Sequence, residues 1–171
     1  MSRTPVRAAL QQLELEGYLR IVSKHGVILL DSSSQRVSDL LEIIVSMVLY
    51  AVTFSWNSQR QELIDYADNM ISALSRLIDT KQADDCTTLT DFEFELFSRL
   101  ISLCNNDEMT KTFQTATSRL FWNRNDKRWK SPYSVETSEV LLHLIQSLSK
   151  DIEAFREALF HYQHTLKRTW L

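Results

Sequence analysis

Glycine is almost absent from this chain of 171 residues, and the two that it has, Gly17 and Gly26, both lie near the start. Tight β-hairpin turns often need glycine because it adopts a positive φ at little steric cost. The long stretch after position 26 without glycine therefore argues against a β-barrel or a β-meander. It favours helices joined by polar loops.

Cysteine is equally scarce, and no long apolar segment is present. Cys86 and Cys104 form no close pair and suit a reducing compartment, where a free cysteine usually behaves as a small apolar residue. No signal peptide opens the chain, and its most apolar run, Leu40 to Phe54, contains Glu42 and is too short to span a bilayer. We therefore expect a cytoplasmic protein with no membrane partner.

The sequence motifs of common enzymes are missing as well. It has no glycine-rich phosphate loop, Cys-x-x-Cys pair, His-Glu-x-x-His motif or nucleophile elbow. The carboxylates of Asp91, Glu93 and Glu95 are best interpreted as charges on a solvated helix face. We expect no enzymatic activity.

A helix and a hairpin are predicted at the start of the chain. Thr4-Pro5 is typical of a helix start, and apolar residues then recur at helical spacing to about Leu15. Two β-prone runs, 18–22 and 27–30, predict a hairpin with Gly26 at its turn. The polar residues 31–35 that follow predict a linker.

From Arg36 onward, apolar residues recur with a period near 3.6, which predicts an all-α antiparallel helical bundle. Asn105-Asn106 is predicted to end one of its helices. The first three helices of the bundle are predicted from three apolar stripes: Val37, Leu40, Leu41, Ile44, Met47, Val48 and Ala51; Leu63, Ala67, Met70, Ile71, Leu74 and Leu77; and Phe92, Leu96, Leu100 and Leu103. Later helices are predicted at about 107–122, 134–149 and 151–168, after a basic polar loop at 123–132.

The first segment resembles the end of the winged helix-turn-helix of GntR-family transcription regulators. The resemblance rests on Ser2-Arg-Thr-Pro-Val-Arg-Ala-Ala-Leu10, Leu13, Glu16-Gly-Tyr18 and Lys24-His-Gly26; Ala8 departs from it, since the family usually has Glu there. It implies a recognition helix in the major groove and a hairpin wing against the DNA. The residues that it places on DNA are Ser2, Arg3, Thr4, Arg7, Lys24, His25 and Gly26.

The charge pattern agrees with DNA contact at this end. Residues 1–30 carry an excess of two positive charges, so the rest of this chain of net charge −3 carries an excess of five negative charges. Arg3 and Arg7 lie four residues apart, so one helix face can present both to phosphates or guanine edges.

The chain begins at this recognition helix, whereas a winged helix-turn-helix has two helices before it. Val6, Leu10 and Leu13 then lack most of their core. We therefore expect residues 1–31, a partial winged-helix domain, to bind operator DNA weakly or not at all.

Residues 93–106 resemble the mid-domain helix of the FadR-like group of that family, whose effector domain is all-helical. In that group an Asp, a His and two further His residues on the last two helices hold a divalent metal. Glu93 aligns with the Asp and can ligate, but Phe97 aligns with the His and cannot. The other two positions fall near Val140 and Tyr162, with histidines close by (His143, His161 and His164). We expect no cofactor, with a divalent metal as the alternative.

An effector pocket in residues 36–171 is implied by the same resemblance. Ile44 and Val48 stand where the group often has Arg and Glu, so the pocket is more apolar. An apolar acid or an acyl-CoA is the effector that fits, and a pocket filled as core is the alternative. The candidate ligand-binding residues are Glu93, Phe97, Arg119, Trp122 and His143.

The sequence thus favours a ligand-responsive bacterial transcription regulator. It would act as a homodimer on an operator, with the helix at 36–54 supplying part of the dimer interface. The alternative is a helical dimerisation or scaffold protein, derived from such a regulator, that does not bind DNA.

Overall fold

The computed structural model describes residues 3–15, 18–23, 25–29, 34–79, 86–121 and 126–170. Within these ranges the chain forms seven α-helices, a 3₁₀ turn and a two-stranded antiparallel sheet. In chain order the elements are α1 (Arg3–Leu15), β1 (Leu19–Val22), β2 (Gly26–Leu29), α2 (Ser34–Ser55), α3 (Arg60–Asp79), α4 (Cys86–Ser102), α5 (Asp107–Phe121), the 3₁₀ turn (Asp126–Trp129), α6 (Ser134–Ser147) and α7 (Ile152–Thr169).

The elements α1, β1 and β2 form an N-terminal unit. β1 pairs with β2 so that Val22 lies opposite Gly26, whose φ is +110°. An L side chain is strained at that φ, which explains the glycine at this end of the turn. Glu14 of α1 accepts a hydrogen bond from the backbone N–H of Ile21 at 2.6 Å and so ties the hairpin to the helix. The predicted helix and hairpin are confirmed.

The apolar face of α1 is poorly covered. Val6 is 54% exposed, and Leu10 and Leu13, on the same face, are only half-buried. Because little apolar surface of α1 leaves water, packing contributes little to holding this helix in place.

The elements α2 to α7 and the 3₁₀ turn form the helical body. α2 packs against α4, α5 and α7, while α3 packs against α4 and α6. Val48, Ala51 and Val52 of α2 are fully buried. The predicted all-α bundle preceded by a helix and a hairpin is therefore confirmed.

The helix at the centre of this body, α2, is long and apolar enough to cross a membrane by length and composition alone, over Gln35–Ser55. The run Leu40 to Phe54, judged too short on sequence, is therefore part of a longer apolar helix. Nearly half of its most apolar window is buried against other helices, as in the core helix of a bundle.

Helix ends follow local chemistry. After α4, Asn105 adopts a positive φ of 47°, and the side chain of Asn106 accepts a hydrogen bond from the N–H of Met109 at 3.0 Å. The Asn105-Asn106 break is thus confirmed: the first residue ends one helix and the second caps the next. Other predicted boundaries shift by one or two residues. α6 ends at Ser147 rather than 149, and α2 begins at Ser34, inside the predicted linker, whose residues 31–33 lie outside the described ranges.

Arg60, at the start of α3, fastens that helix to the turn between α6 and α7. Its guanidinium donates to the carbonyl oxygens of Leu148 at 2.5 Å and Lys150 at 2.7 Å, and it lies 4.2 Å from the centre of the Trp56 ring. A planar guanidinium can make these three contacts together, whereas an ammonium cannot.

We expect Arg60→Lys to lower the free energy of unfolding by about 1–2 kcal/mol, because it loses a charge-assisted hydrogen bond and the stacked plane. Urea denaturation followed by circular dichroism measures this. The matched control is Arg156→Lys, at an arginine paired with Glu153 on the surface of α7, and should change stability by less than about 0.5 kcal/mol. Equal effects of the two substitutions would contradict the role given to Arg60.

Candidate functional site

A buried carboxylate, Glu93 of α4, lies at the centre of the helical body. It is 1% exposed, and so is the guanidinium of Arg128 from the 3₁₀ turn, which forms an ion pair with Glu93 Oε2. The phenol of Tyr162, from α7, donates a hydrogen bond to Glu93 Oε1. Both carboxylate oxygens are therefore engaged, by side chains from two other elements.

Two tryptophans enclose the guanidinium of Arg128. It lies 5.2 Å from the ring centre of Trp129 and 4.7 Å from that of Trp170, within the range of cation–π attraction. Trp129 is itself held by a hydrogen bond from Nε1 to Thr90 Oγ1 at 3.1 Å. The cation is thus packed between a carboxylate and two indole rings.

Burial raises the pKa of Glu93 to about 7, although the neighbouring Arg128 guanidinium opposes the rise. Removing the carboxylate from water disfavours its charged form more than the nearby cation favours it. Glu93 can therefore gain or lose a proton near neutral pH, which an exposed glutamate does not do.

A small cavity of about 20 Å³ lies beside this cluster. Phe97 and Tyr162 meet there with ring centres 5.5 Å apart. The lining side chains are mostly apolar and come from α2, α4, α5 and α7: Leu41, Ile44, Val45, Val48, Glu93, Phe94, Phe97, Phe113, Thr117, Leu120, Leu159, Tyr162 and Leu166. The volume is on the order of one water molecule, so the helices must separate before a ligand of several hundred Å³ can enter.

The predicted ligand-binding residues are only partly brought together. Glu93 and Phe97 line the cavity, whereas His143 is exposed on α6 and Arg119 lines an open groove between α2 and α5. Trp122 lies outside the described residues. Tyr162, at a position that the resemblance aligns with a metal ligand, joins Glu93 and Phe97 in the cavity wall.

The interpretation of Glu93 as part of a solvated face is wrong. Asp91 and Glu95 are exposed, but Glu93 faces inward together with Leu96, Phe97 and Leu100. Successive helix residues are 100° apart, so a residue two positions away from an exposed one lies on nearly the opposite side. The buried face of α4 includes position 93.

Sequence reasoning missed Arg128, which it placed within a basic polar loop. The available signal was its neighbour Trp129, since a tryptophan in a loop often packs on the body and draws adjacent residues inward. Nothing in the local sequence distinguishes Arg128 from Lys127, which is exposed.

In the described part of the chain, no three His, Cys, Asp or Glu side chains converge as a metal site would require. His143, His161 and His164 are all exposed. Glutamate is a residue type that often binds metals, but both oxygens of Glu93 already accept hydrogen bonds, from Arg128 and Tyr162. The arrangement around Glu93 does not fit a divalent cation.

The predicted DNA-binding residues lie in the N-terminal unit. Arg7 is exposed on α1, and His25 and Gly26 are exposed at the hairpin turn. Arg3 and Thr4 belong to the first turn of α1, but their side chains lie outside what the structure describes, as do Ser2 and Lys24.

The N-terminal unit contacts the helical body through α5. The hydroxyl groups of Tyr18 and Ser118 are hydrogen-bonded, and Arg119 Nη2 donates to the carbonyl oxygen of Leu15 at 3.4 Å. Three residues of α5, namely Phe113, Thr117 and Leu120, also line the central cavity. The helix α5 therefore both lines the central cavity and contacts the N-terminal unit.

Two solved structures of bacterial proteins have a similar fold. One is Lar, described as controlling expression of the Listeria monocytogenes agr system and mediating virulence; its TM-score is 0.66 at 19% identity, over 99% of this chain and 80% of that one. The other is Streptococcus agalactiae GntR, with a TM-score of 0.51 at 13% identity, over 98% of this chain and 82% of that one. The chain shares their fold. No protein-family model and no curated protein matches the sequence.

The raised pKa of Glu93 predicts a pH-dependent contribution to stability. Its pKa is about 7 in the folded protein against an ordinary value of 4.5, so folding favours the protonated form. Protonated Glu93 therefore adds to the free energy of unfolding. This stabilisation is fully present below about pH 4.5 and is lost as the pH rises through about 7. Relative to Glu93→Gln, the wild-type free energy of unfolding should fall over this interval by on the order of 3 kcal/mol.

Urea denaturation of both proteins at several pH values between 4 and 8 measures this difference. Glu95→Gln, a substitution at an exposed glutamate on the same helix, is the control and should leave the pH dependence unchanged. A difference between wild type and Glu93→Gln that does not vary with pH would contradict the raised pKa.

Proposed function

We propose that the chain is a ligand-responsive transcription regulator of the GntR type, of the FadR-like group. The observation that carries this proposal is that the chain shares its fold, over nearly its whole length, with Lar, which controls gene expression, and with Streptococcus agalactiae GntR. That similarity includes the N-terminal unit as well as the helical body, so the combination of a helix and hairpin with a bundle is common to both proteins. In the proposed division of labour, the N-terminal unit contacts DNA and the body binds an effector.

The proposed DNA contact is made by the exposed residues of the N-terminal unit. Arg7 projects from α1 one helical turn after Arg3, and His25 lies beside Gly26 at the hairpin turn. A glycine there adds no side chain, so the hairpin can approach a phosphate backbone closely. Because α1 buries little apolar surface, we expect this unit to be held loosely and the binding to be weak.

The proposed effector site is the cavity beside Glu93, Phe97 and Tyr162. Its walls are largely apolar, which suits the tail of an apolar acid or an acyl chain. We further propose that Arg128, rather than a divalent metal, supplies the positive charge next to Glu93. Entry of an effector must widen the cavity, which displaces the part of α5 that lines it.

A homodimer is the proposed assembly. α2 exposes Tyr50 and Phe54, which are 55% and 58% exposed, and their rings are stacked on each other. These side chains lie along one face of a 22-residue helix, and a two-fold axis would pair that face with its own copy. Effector binding would then shift the population between dimers whose N-terminal units do and do not match two DNA half-sites.

DNA binding is tested by selection from random duplexes followed by gel-shift assays at two salt concentrations. We expect a sequence preference with a dissociation constant that is roughly micromolar or weaker. Arg7→Ala should weaken binding and reduce its salt dependence, because it removes a cation that can neutralise a phosphate. Arg76→Ala, at an exposed arginine on α3, is the control and should leave binding unchanged. Nanomolar binding would contradict the expected weakness, and binding without sequence preference would contradict the proposed function.

Native mass spectrometry of the purified protein tests the assembly and the metal together. We expect a dimer, and we expect no stoichiometric metal because Arg128 and Tyr162 occupy both oxygens of Glu93. Tyr50→Glu together with Phe54→Glu should yield monomers, since charges on an apolar interface are costly to bury. A metal bound at one equivalent per chain, or a wild-type monomer, would contradict these proposals.

A helical dimerisation or scaffold protein is the second candidate. It is favoured by the apolar face of α1, where Val6 is exposed and Leu10 and Leu13 are only half-buried, since an apolar face without cover is better suited to a protein partner than to DNA. Under this candidate Val6→Lys would abolish partner binding, and no duplex would be selected above background.

A further inference from the structure

An open groove of about 240 Å³ runs between α2 and α5, next to the contact between the helical body and the N-terminal unit. It is separate from the central cavity, which a different face of α5 lines. The groove is lined by Leu40 and Ile43 of α2 and by Lys111, Thr112, Thr115, Ala116 and Arg119 of α5.

The groove combines an apolar floor with positive charge. Leu40 and Ala116 are almost fully buried at its base, and Ile43 is 45% exposed along its side. Lys111 and Arg119 are eight residues apart on α5, which places their backbones about 12 Å from each other along one side of the groove.

No carboxylate is among the residues that line the groove. Glu108, outside the lining, forms an ion pair with Lys111, but both side chains are largely exposed to solvent, at 83% and 67%. Such a pair is weak in water and leaves the cation available to another anion. The residues that line the groove thus carry two positive charges and no negative one, on a chain whose net charge is −3.

We propose that this groove binds a small organic anion with a short apolar tail. The anionic group is held by the guanidinium of Arg119, with Lys111 adding long-range attraction, and the tail lies on Leu40, Ile43 and Ala116. Charge complementarity selects an anion over a neutral molecule, and the apolar floor selects a molecule with a tail over an inorganic ion. This site does not depend on whether the chain regulates transcription.

Binding of an anion in the groove would weaken the contact between the helical body and the N-terminal unit, because Arg119 takes part in both. Its Nη2 donates to the carbonyl oxygen of Leu15, the last residue of α1, at 3.4 Å. The final carbonyls of a helix lack partners within the helix, and a nearby cation stabilises that end. A bound anion competes with this carbonyl for the guanidinium, so binding loosens the hold of α5 on α1.

The test is a ¹H–¹⁵N NMR titration of the full chain with sodium octanoate below its micelle concentration. We expect octanoate to shift the backbone signals of Ile43, Thr115, Ala116 and Arg119, with smaller shifts for Leu15 and Tyr18. Sodium acetate, which lacks the tail, and 1-octanol, which lacks the charge, should each bind at least tenfold more weakly than octanoate.

Two variants locate the binding. Arg119→Gln should weaken octanoate binding about tenfold or more, because it removes a charged hydrogen-bond donor, and Thr115→Glu should weaken it by placing a carboxylate in the groove. Arg156→Gln makes the same change of net charge on the surface of α7 and should have no effect. Equal weakening by the two arginine variants, or shifts confined to residues around Phe97 and Leu159 of the central cavity, would overturn the proposal.

Discussion

The contacts of the buried Glu93 carboxylate fix how three elements of the helical body are placed against one another. The carboxylate takes one hydrogen bond from Arg128 and another from Tyr162, and thereby joins α4, the 3₁₀ turn and α7 at one point. Removing a carboxylate and a guanidinium from water costs several kcal/mol each, and their attraction offsets this only when the geometry is good. Apolar residues of similar volume could give equal stability, so the pair is better explained by specificity: any other placement of the 3₁₀ turn would leave a buried charge without a partner.

The helix α5 connects three regions that are otherwise apart. One face lines the central cavity through Phe113, Thr117 and Leu120, while another forms the wall of the groove. Near its C-terminus, Ser118 and Arg119 contact the N-terminal unit. A rigid helix that shifts at one of these places shifts at all of them, which gives a physical route between the proposed ligand sites and the proposed DNA contact.

Much of the fold could be predicted because its signals are local. The apolar stripes of α2, α3 and α4 predict their buried faces, since a period of 3.6 residues must place those side chains on one side. Asn105 and Gly26 predict chain reversals because few residue types tolerate a positive φ. The residual errors, as at the end of α6, are of the size expected where a helix passes into a tight turn.

The candidate site was less predictable. The family resemblance aligned Glu93 and Phe97 with metal-ligand positions and placed a third such position near Tyr162, and the structure brings all three residues into one cavity wall. Arg128 could not be found in this way, because its role depends on a contact with Glu93 across 35 positions of sequence. Arg119 was predicted to bind the effector together with Glu93 and Phe97, whereas the structure places it in the separate groove between α2 and α5.

The nearly glycine-free sequence by itself determined that the body is helical, which apolar faces of its first helices are buried and where its first hairpin turns. Those outcomes follow from backbone preferences and from periodicity within single segments. Tertiary structure alone decided that Glu93 is buried beside Arg128, that the central cavity is small and that a charged groove lies between α2 and α5. These depend on which helices become neighbours, and that is set by the packing of the whole body rather than by any one segment.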